Sequence, residues 1–247
     1  MIKAVVNINM GCYEQIYEPS FENSTWDFYT FTDLTSREHR ACSNEYFFEP
    51  LEVEDEALDG LSSKRKASYF KAKALTTLEN LTGIDYDLVV VIDSNIEIVG
   101  ELDEWIDRHH SGADFSVKSH PDCNSYLDEV QKIEQIKSQR NGPVIETTEN
   151  MEETLDEMTR LGFKFNNGYH ETNLSIRTNT KRTKAFEKAW AKNYLKFSTK
   201  RDQPSLSFTR HEKKNIFFNT LNVDIRKETD CPFRVRAHKY NAKWIRL

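Results

Sequence analysis

The segment from Leu88 to Asn95, LVVVIDSN, constrains the fold more than any other stretch of this chain. Five consecutive apolar residues end abruptly at Asp93, a serine and Asn95. An unbroken apolar strand is typical of a strand that is covered on both faces, as in parallel sheets. We therefore predict a buried strand over residues 88–92 that carries two polar side chains at its carboxyl end.

The residues before this strand predict a helix that leads into it. Ser62 or Ser63 is suited to cap the helix, and Gly83 is suited to end it. Between them, apolar residues recur at helical spacing, namely Ala67, Phe70, Ala74, Leu78 and Leu81. A helix followed by a fully apolar strand indicates an α/β fold with a parallel sheet covered by helices.

The rest of the chain fits one domain over residues 1–247. Residues 2–9 and 26–33 read as strands, as does the segment from residue 113, and the acidic residues 49–60 read as a solvated connection. We predict helices near residues 100–110, 127–136, 151–161 and 183–197. Thr147 or Thr148 is suited to cap the helix at 151–161. No internal repeat or linker is evident.

Composition excludes several classes of protein. A formal net charge of −6 argues against a general nucleic-acid coat, and no apolar stretch is long enough to span a membrane. The amino terminus lacks the pattern of a signal peptide. The four cysteines are scattered without a C-x-x-C pair, so neither a disulfide framework nor a thiol metal site is expected. We expect a cytoplasmic protein.

Asp93 and Asn95 are candidates for a cation site. In an open α/β sheet, ligands bind beyond the carboxyl ends of the strands, and hard divalent cations prefer oxygen ligands that they share with phosphate. The alternative is that Asp-Ser-Asn only forms a turn. No P-loop, dinucleotide fingerprint, zinc-protease motif or nucleophile elbow is present. Arg65, Lys71 and Lys73 on the preceding helix could contact phosphate or form a solvated face.

Four blocks of sequence, in order, resemble one family. The first block is Arg65–Asn95, with an R-x-x-x-x-x-K helix and an Asp-x-Asn, and the second is SHPDCNSYLDEVQKI, with His120, Pro121 and Glu129. The third block is NNGYHETNLSIRTNT, with Gly168, Glu171 and Arg177. The fourth block is FEKAWAKNYLKFSTKRDQPSLSF, with Trp190, Arg201, Asp202 and Gln203. Together they resemble the GT-A glycosyltransferases, in particular the glycosyltransferase-like domain family that includes plant mucilage-related proteins and bacterial and viral members. The resemblance covers most of the chain.

The resemblance implies a GT-A-like, Rossmann-like fold and a set of site residues. It implies that Mn²⁺ or Mg²⁺ binds at Asp93, Asn95 and His238, although an amide replaces the usual second acid. The residues expected to contact the nucleotide sugar are Asn7, Tyr13, Asp33, Arg65, Lys71, Arg177, Arg201, Gln203 and Lys243. Tyr13 would stack on the base or belong to the core.

Asp202 and Glu171 are the candidate catalytic acids. In an inverting reaction a carboxylate takes the proton of the acceptor hydroxyl, and Asp202 is the first candidate. It also precedes Pro204, so it could cap a helix instead. In a retaining reaction neither acid need be a base.

The sequence therefore predicts a hexosyltransferase-like enzyme of the GT-A type. It would move a sugar from a UDP- or GDP-sugar to the hydroxyl of a glycan or other acceptor, with a divalent cation and without nucleic acid. The rivals are a nucleotidyltransferase and a non-catalytic domain that binds sugar nucleotides or glycans.

Overall fold

A computed structural model of the chain describes residues 1–43, 47–139 and 146–238. The strands are β1 (Lys3–Ile8), β2 (Trp26–Thr32), β3 (Glu49–Glu52), β4 (Leu88–Asp93), β5 (Ile96–Ile98), β6 (Phe115–Ser119), β7 (His170–Thr178), β8 (Phe218–Leu221) and β9 (Phe233–Val235). The helices are α1 (Ser36–Ser43), α2 (Ser63–Ala72), α3 (Ala74–Thr82), α4 (Asp103–His110), α5 (Tyr126–Gln139), α6 (Thr148–Arg160), α7 (Lys181–Lys196) and α8 (Gln203–Glu212).

The central sheet has seven strands in the order β3-β2-β1-β4-β7-β6-β8. Six strands run in one direction, and β7 is antiparallel to both of its neighbours. Strands β5 and β9 form a separate antiparallel pair. The predicted fold class, an α/β fold with a mostly parallel central sheet, is confirmed.

Helices cover both faces of the sheet, as predicted. On one face, α2, α3 and α7 pack on apolar side chains of β1 and β4, with Trp190 fully buried at the centre. On the other face, α4 packs through Trp105 against β4, β7 and the β5-β9 pair. A third apolar cluster joins residues of α5, α6 and α8. The strand over residues 88–92 is buried on both faces, which confirms the prediction made from its sequence.

The predicted helix between residues 62 and 83 is two helices. Ser62 Oγ accepts a hydrogen bond from the backbone N–H of Arg65, and Gly83 ends α3 in a left-handed conformation, as expected. At Lys73, however, the backbone leaves helical geometry, with φ −119° and ψ 30°. The apolar spacing continues across the break because both helices pack on the same face of the sheet.

Two further expectations need correction. The acidic stretch 49–60 is not wholly a solvated connection, because it contains β3 and buries Val53 and Leu58. Cys12 is disulfide-bonded, although the scattered cysteines were not expected to form a disulfide framework. Cys123 and Cys231 are free and buried. None of the helices in the described ranges has the length and apolar character needed to cross a bilayer.

Candidate functional site

A cavity of about 680 Å³ opens at the carboxyl ends of β1 and β4. The two strands end in register, with Ile8 beside Asp93. Because β7 runs antiparallel to β4, its amino-terminal residues reach the same edge of the sheet. The lining comprises Ile8, Tyr13, Ser62, Ser63, Lys64, Ala67, Ser68, Lys71, Asp93, Asn95, Glu171, Thr172, Asn173, Lys200, Arg201, Asp202, Gln203, Arg226, Val235 and His238. The cavity lies where ligands bind in open α/β sheets.

Lys71 joins the two most important carboxylates of the cavity. Its Nζ lies 2.6 Å from Asp93 Oδ1 and 3.3 Å from Asp202 Oδ2. The Lys71 and Asp202 side chains are almost fully buried, whereas that of Asp93 is 30% exposed. Asp93 and Asp202, which are more than a hundred residues apart in the chain, therefore face one cavity through a shared ammonium group.

Lys71 and Asp202 each stabilise the charged form of the other. Burial by itself lowers the pKa of Lys71, but the carboxylates of Asp202 and Asp93 outweigh it and raise that pKa above its ordinary value. Burial by itself raises the pKa of Asp202, but Lys71, the hydroxyl of Thr172 and the guanidinium of Arg201 outweigh it and hold that pKa below the ordinary value. Lys71 is thus a cation and Asp202 an anion at neutral pH.

Asp202 does not cap α8 with its side chain. It occupies the position before the helix with φ −90° and ψ −19°, and its side chain makes no capping hydrogen bond within the described chain. Instead, Thr172 Oγ1 donates to Asp202 Oδ1 at 2.8 Å. With its amide turned to satisfy both neighbours, Gln203 donates to Asp202 Oδ1 and accepts from Arg201. The carboxylate is held toward the cavity, which disfavours the capping alternative.

Glu171 lines the cavity but is held by two cations. The buried Lys118 ammonium lies 2.6 Å from Glu171 Oε2, and the Arg226 guanidinium forms two hydrogen bonds with the same carboxylate. Burial raises the pKa of Glu171, but Arg226 and Lys118 outweigh it and lower that pKa to about 2. A carboxylate with so low a pKa is a poor proton acceptor. Its position therefore favours a structural role over that of the base.

The three predicted metal ligands line the cavity without forming a metal site. Asn95 directs its amide nitrogen to the carbonyl of Arg236 at 3.3 Å, and His238 Nδ1 lies 2.8 Å from Glu14 Oε1. The Lys71 ammonium lies 2.6 Å from Asp93 Oδ1 and would compete with a metal cation for that oxygen. In the described ranges, no group of three or more His, Cys, Asp or Glu side chains could hold a metal ion. The side chains of the described residues therefore do not form a complete metal site, and a Mn²⁺ or Mg²⁺ ion held by Asp93 would also need oxygen ligands from a bound diphosphate.

Arg177 was expected to contact the sugar nucleotide, but the structure places it in the core. Its side chain is fully buried, pairs with Glu187 and stacks near Trp190. Its guanidinium also donates to the carbonyl of Lys71 at 2.6 Å. Arg177 therefore holds the backbone of a cavity residue and does not itself reach the cavity.

Three other residues expected at the nucleotide lie outside the cavity lining. Asn7 is fully buried and accepts a hydrogen bond from Ser94 at 3.1 Å. Asp33 accepts from the backbone N–H of Gly11, which has a φ of 64° that glycine readily adopts. Arg65 donates to the carbonyl of Phe197 at 3.4 Å and is not among the residues that line the cavity. Lys243 lies outside the described residues.

The remaining predicted residues, Tyr13, Arg201 and Gln203, line the cavity. Arg201 pairs with the buried Glu129 at 2.6 Å. Tyr13 has a raised phenol pKa because it is buried and close to Asp93.

Sequence reasoning did not assign several polar lining residues to the site, among them Lys64, Thr172, Asn173, Lys200 and Arg226. Asn173 is 8% exposed, and its Oδ1 has no hydrogen-bond partner in the described chain. Lys64 and Lys200 had a signal, because each adjoins a residue that the resemblance marks. Thr172 and Asn173 follow Glu171 in a block of the resemblance, but nothing in the sequence fixes the direction of β7 and so their position at the cavity. Arg226 had no signal, because it lies between β8 and β9, outside the four blocks.

Comparisons with known proteins give structural likeness only. No family model matches the chain, and no curated protein matches its sequence. One similar solved structure is core-mannan synthase A (CmsA/Ktr4) from Aspergillus fumigatus in its Mn/GDP form, with 11% identity over 85% of this chain and 69% of that chain and a TM-score of 0.47. Another is the mannosyltransferase Ktr4p from S. cerevisiae, with 8% identity over 89% of this chain and 68% of that chain and a TM-score of 0.44. Likeness of this degree assigns neither donor nor acceptor.

Proposed function

We propose that this protein transfers a sugar from a nucleotide-diphosphate sugar, either a UDP- or a GDP-sugar, to an acceptor hydroxyl. The observation that carries the proposal is the convergence of Asp93, Asp202 and Lys71 in one cavity at the carboxyl end of the sheet. The same three residues lie in the sequence blocks that carry the GT-A resemblance. An acid, a buried cation and a strand-end cavity are what glycosyl transfer from a diphosphate needs.

The charge of the cavity suits a diphosphate. Five lysines and arginines and three carboxylates line it among the described residues, so the lining carries an excess of positive charge in a chain whose formal net charge is −6. Departure of a nucleoside diphosphate builds negative charge on its terminal phosphoryl oxygens. Cationic donors fixed in place before the reaction stabilise that charge without reorganising. We assign this role to Lys71, with Arg226 and Lys64 at the same cavity.

Asp202 acts at the sugar. Its carboxylate is ionised and is fixed by Thr172, so it faces the cavity in one orientation. In an inverting reaction it takes the proton of the acceptor hydroxyl as the new glycosidic bond forms. In a retaining reaction it stabilises the positive charge that develops on the sugar. We assign the binding of a sugar hydroxyl to the amide of Asn173, whose Oδ1 has no hydrogen-bond partner in the described chain.

The nucleoside lies beside Tyr13. This side chain lines the cavity next to Asp93, on the loop that follows β1. We propose that its ring contacts the base, as the sequence resemblance implies. The Mn²⁺ or Mg²⁺ implied by the same resemblance would add positive charge at the diphosphate, and its effect is one arm of the experiment below.

Turnover of sugar nucleotides tests the proposal. The protein is incubated with a panel of UDP- and GDP-sugars and simple glycoside acceptors, with and without Mn²⁺, and free nucleoside diphosphate is measured. We expect one donor to release its diphosphate faster with acceptor than without, and the Asp202→Asn variant to lose that activity. Turnover of nucleoside triphosphates to pyrophosphate would instead establish a nucleotidyltransferase. Saturable binding without turnover of any donor and acceptor would establish a binding domain.

A further inference from the structure

The position of Lys71 has a consequence for the cation requirement of the site. Its ammonium lies between two carboxylates, 2.6 Å from Asp93 and 3.3 Å from Asp202, on a side chain that is 10% exposed. An ammonium group has three N–H donors. The two carboxylates account for two of them, so one remains for a ligand in the cavity.

Core residues hold the backbone of Lys71 in place. Its carbonyl oxygen accepts the 2.6 Å hydrogen bond from Arg177, and Arg177 is paired with Glu187 in the core. The Glu187 carboxylate in turn accepts from the backbone N–H groups of Leu75 and Thr76, at the start of α3. The buried ion pair therefore holds both sides of the break between α2 and α3, and Lys71 lies in the last turn before that break.

A divalent cation would have to compete with this arrangement. Lys71 already neutralises the oxygen of Asp93 that it contacts, and the neighbouring Asn95 offers no negative charge. The lining has two more positive than negative side chains among the described residues. A sugar nucleotide carries one negative charge on each of its two phosphoryl groups, which equals in number the excess of positive side chains in the lining.

We infer that Lys71 is the resident cation of the diphosphate site, so that this protein binds its donor nucleotide without a divalent metal ion. The inference rests on the proposed function, because it concerns how the same cavity holds the same diphosphate. Arg177 and Glu187 are positioning residues for Lys71.

Calorimetric titration with UDP and with GDP tests the inference. The wild-type protein is titrated in EDTA and again in Mn²⁺. We expect one nucleotide to bind in EDTA, with a Kd that Mn²⁺ changes by less than about threefold. The Lys71→Met variant should bind that nucleotide about 10- to 100-fold more weakly in EDTA, since a hydrogen bond from a charged group is lost. Mn²⁺ should restore part of that loss, because the space between Asp93 and Asp202 is then open to a cation.

Two further variants keep the result interpretable. Lys73→Met is the matched control, because Lys73 is two residues away and pairs with Asp55 outside the cavity. It should bind like the wild type. Asp93→Asn covers the case in which Lys71→Met does not fold. If Asp93 only pairs with Lys71, this variant keeps or gains nucleotide affinity in EDTA and in Mn²⁺, whereas a metal ligand would lose affinity in Mn²⁺.

The outcomes separate this inference from the proposed function. Nucleotide binding that requires Mn²⁺ in the wild type, or a loss of affinity in Asp93→Asn, overturns the inference and leaves the proposed function standing. Failure of both nucleotides to bind under either condition overturns the proposed function and the inference with it.

Discussion

Asp202→Asn is the substitution that bears most directly on the chemistry. The asparagine has nearly the same shape, and its Oδ1 can still accept the 2.8 Å hydrogen bond from Thr172. What is lost is the negative charge and the 3.3 Å ion pair with Lys71. Lys71 keeps its closer partner Asp93, so no buried ammonium is left without an anion.

The geometry sets the expected magnitudes. Because Lys71 stays paired, the free energy of unfolding should change by no more than about 1 kcal/mol. A buried charge left without any partner would instead lower it by several kcal/mol. Donor affinity should hold or improve, since Lys71 is released from one of its two carboxylates. The turnover rate should fall by about 100- to 10,000-fold if Asp202 takes the proton of the acceptor hydroxyl.

Three measurements on the variant check this reasoning. Urea denaturation gives the stability change, nucleotide titration gives the affinity, and nucleoside diphosphate release gives the turnover. Asp156→Asn, an exposed change on α6, is the matched control. Full activity in Asp202→Asn would remove Asp202 from the chemistry. A loss of activity matched by a large loss of stability would make it a structural residue.

Three further predictions concern the framework of the site. Arg177→Met should lower the free energy of unfolding by about 3–5 kcal/mol because Glu187 stays buried without its cation. Arg160→Met breaks an exposed pair and should leave the free energy of unfolding nearly unchanged. Equal losses of stability for the two variants in urea denaturation would contradict this. The folded-state pKa of Glu171, about 2, lies below its ordinary value of 4.5, so its contribution to stability is present above pH 4.5 and is lost as pH falls toward 2. Glu171→Gln should flatten acid unfolding over that range, and an unchanged profile would refute the assignment. Gly83→Ala should cost about 1 kcal/mol because φ is +69° there, as measured by thermal unfolding, and an unchanged melting temperature would count against the left-handed cap.

The strand that ends at Asp93 could be predicted because five apolar residues in a row identify a doubly covered strand. The helix that carries Lys71 could be predicted for a similar reason, since Ser62 and the apolar spacing mark its start and its buried face. These local signals were enough to place an acidic residue, Asp93, and a basic residue, Lys71, near the same edge of the sheet. They could not show that the two groups are in contact.

The features that escaped prediction depend on contacts distant in sequence. The direction of β7 decides that Thr172 and Asn173 face the cavity, and strand direction is fixed by packing partners. Arg177 was expected at the nucleotide sugar because the resemblance marks it, and a charged residue gives no sign of burial until its partner, Glu187 on α7, is placed beside it. The break at Lys73 was hidden because the apolar residues on its two sides keep helical spacing.

A crystal structure with the donor nucleotide bound tests the central claim most directly. We predict that the diphosphate lies in the cavity at the ends of β1 and β4, with a phosphoryl oxygen about 3 Å from Lys71 Nζ and with Asp202 facing the position of the sugar. A nucleotide bound at another surface, or a diphosphate that contacts neither Lys71 nor the other cations of the cavity, would contradict the account.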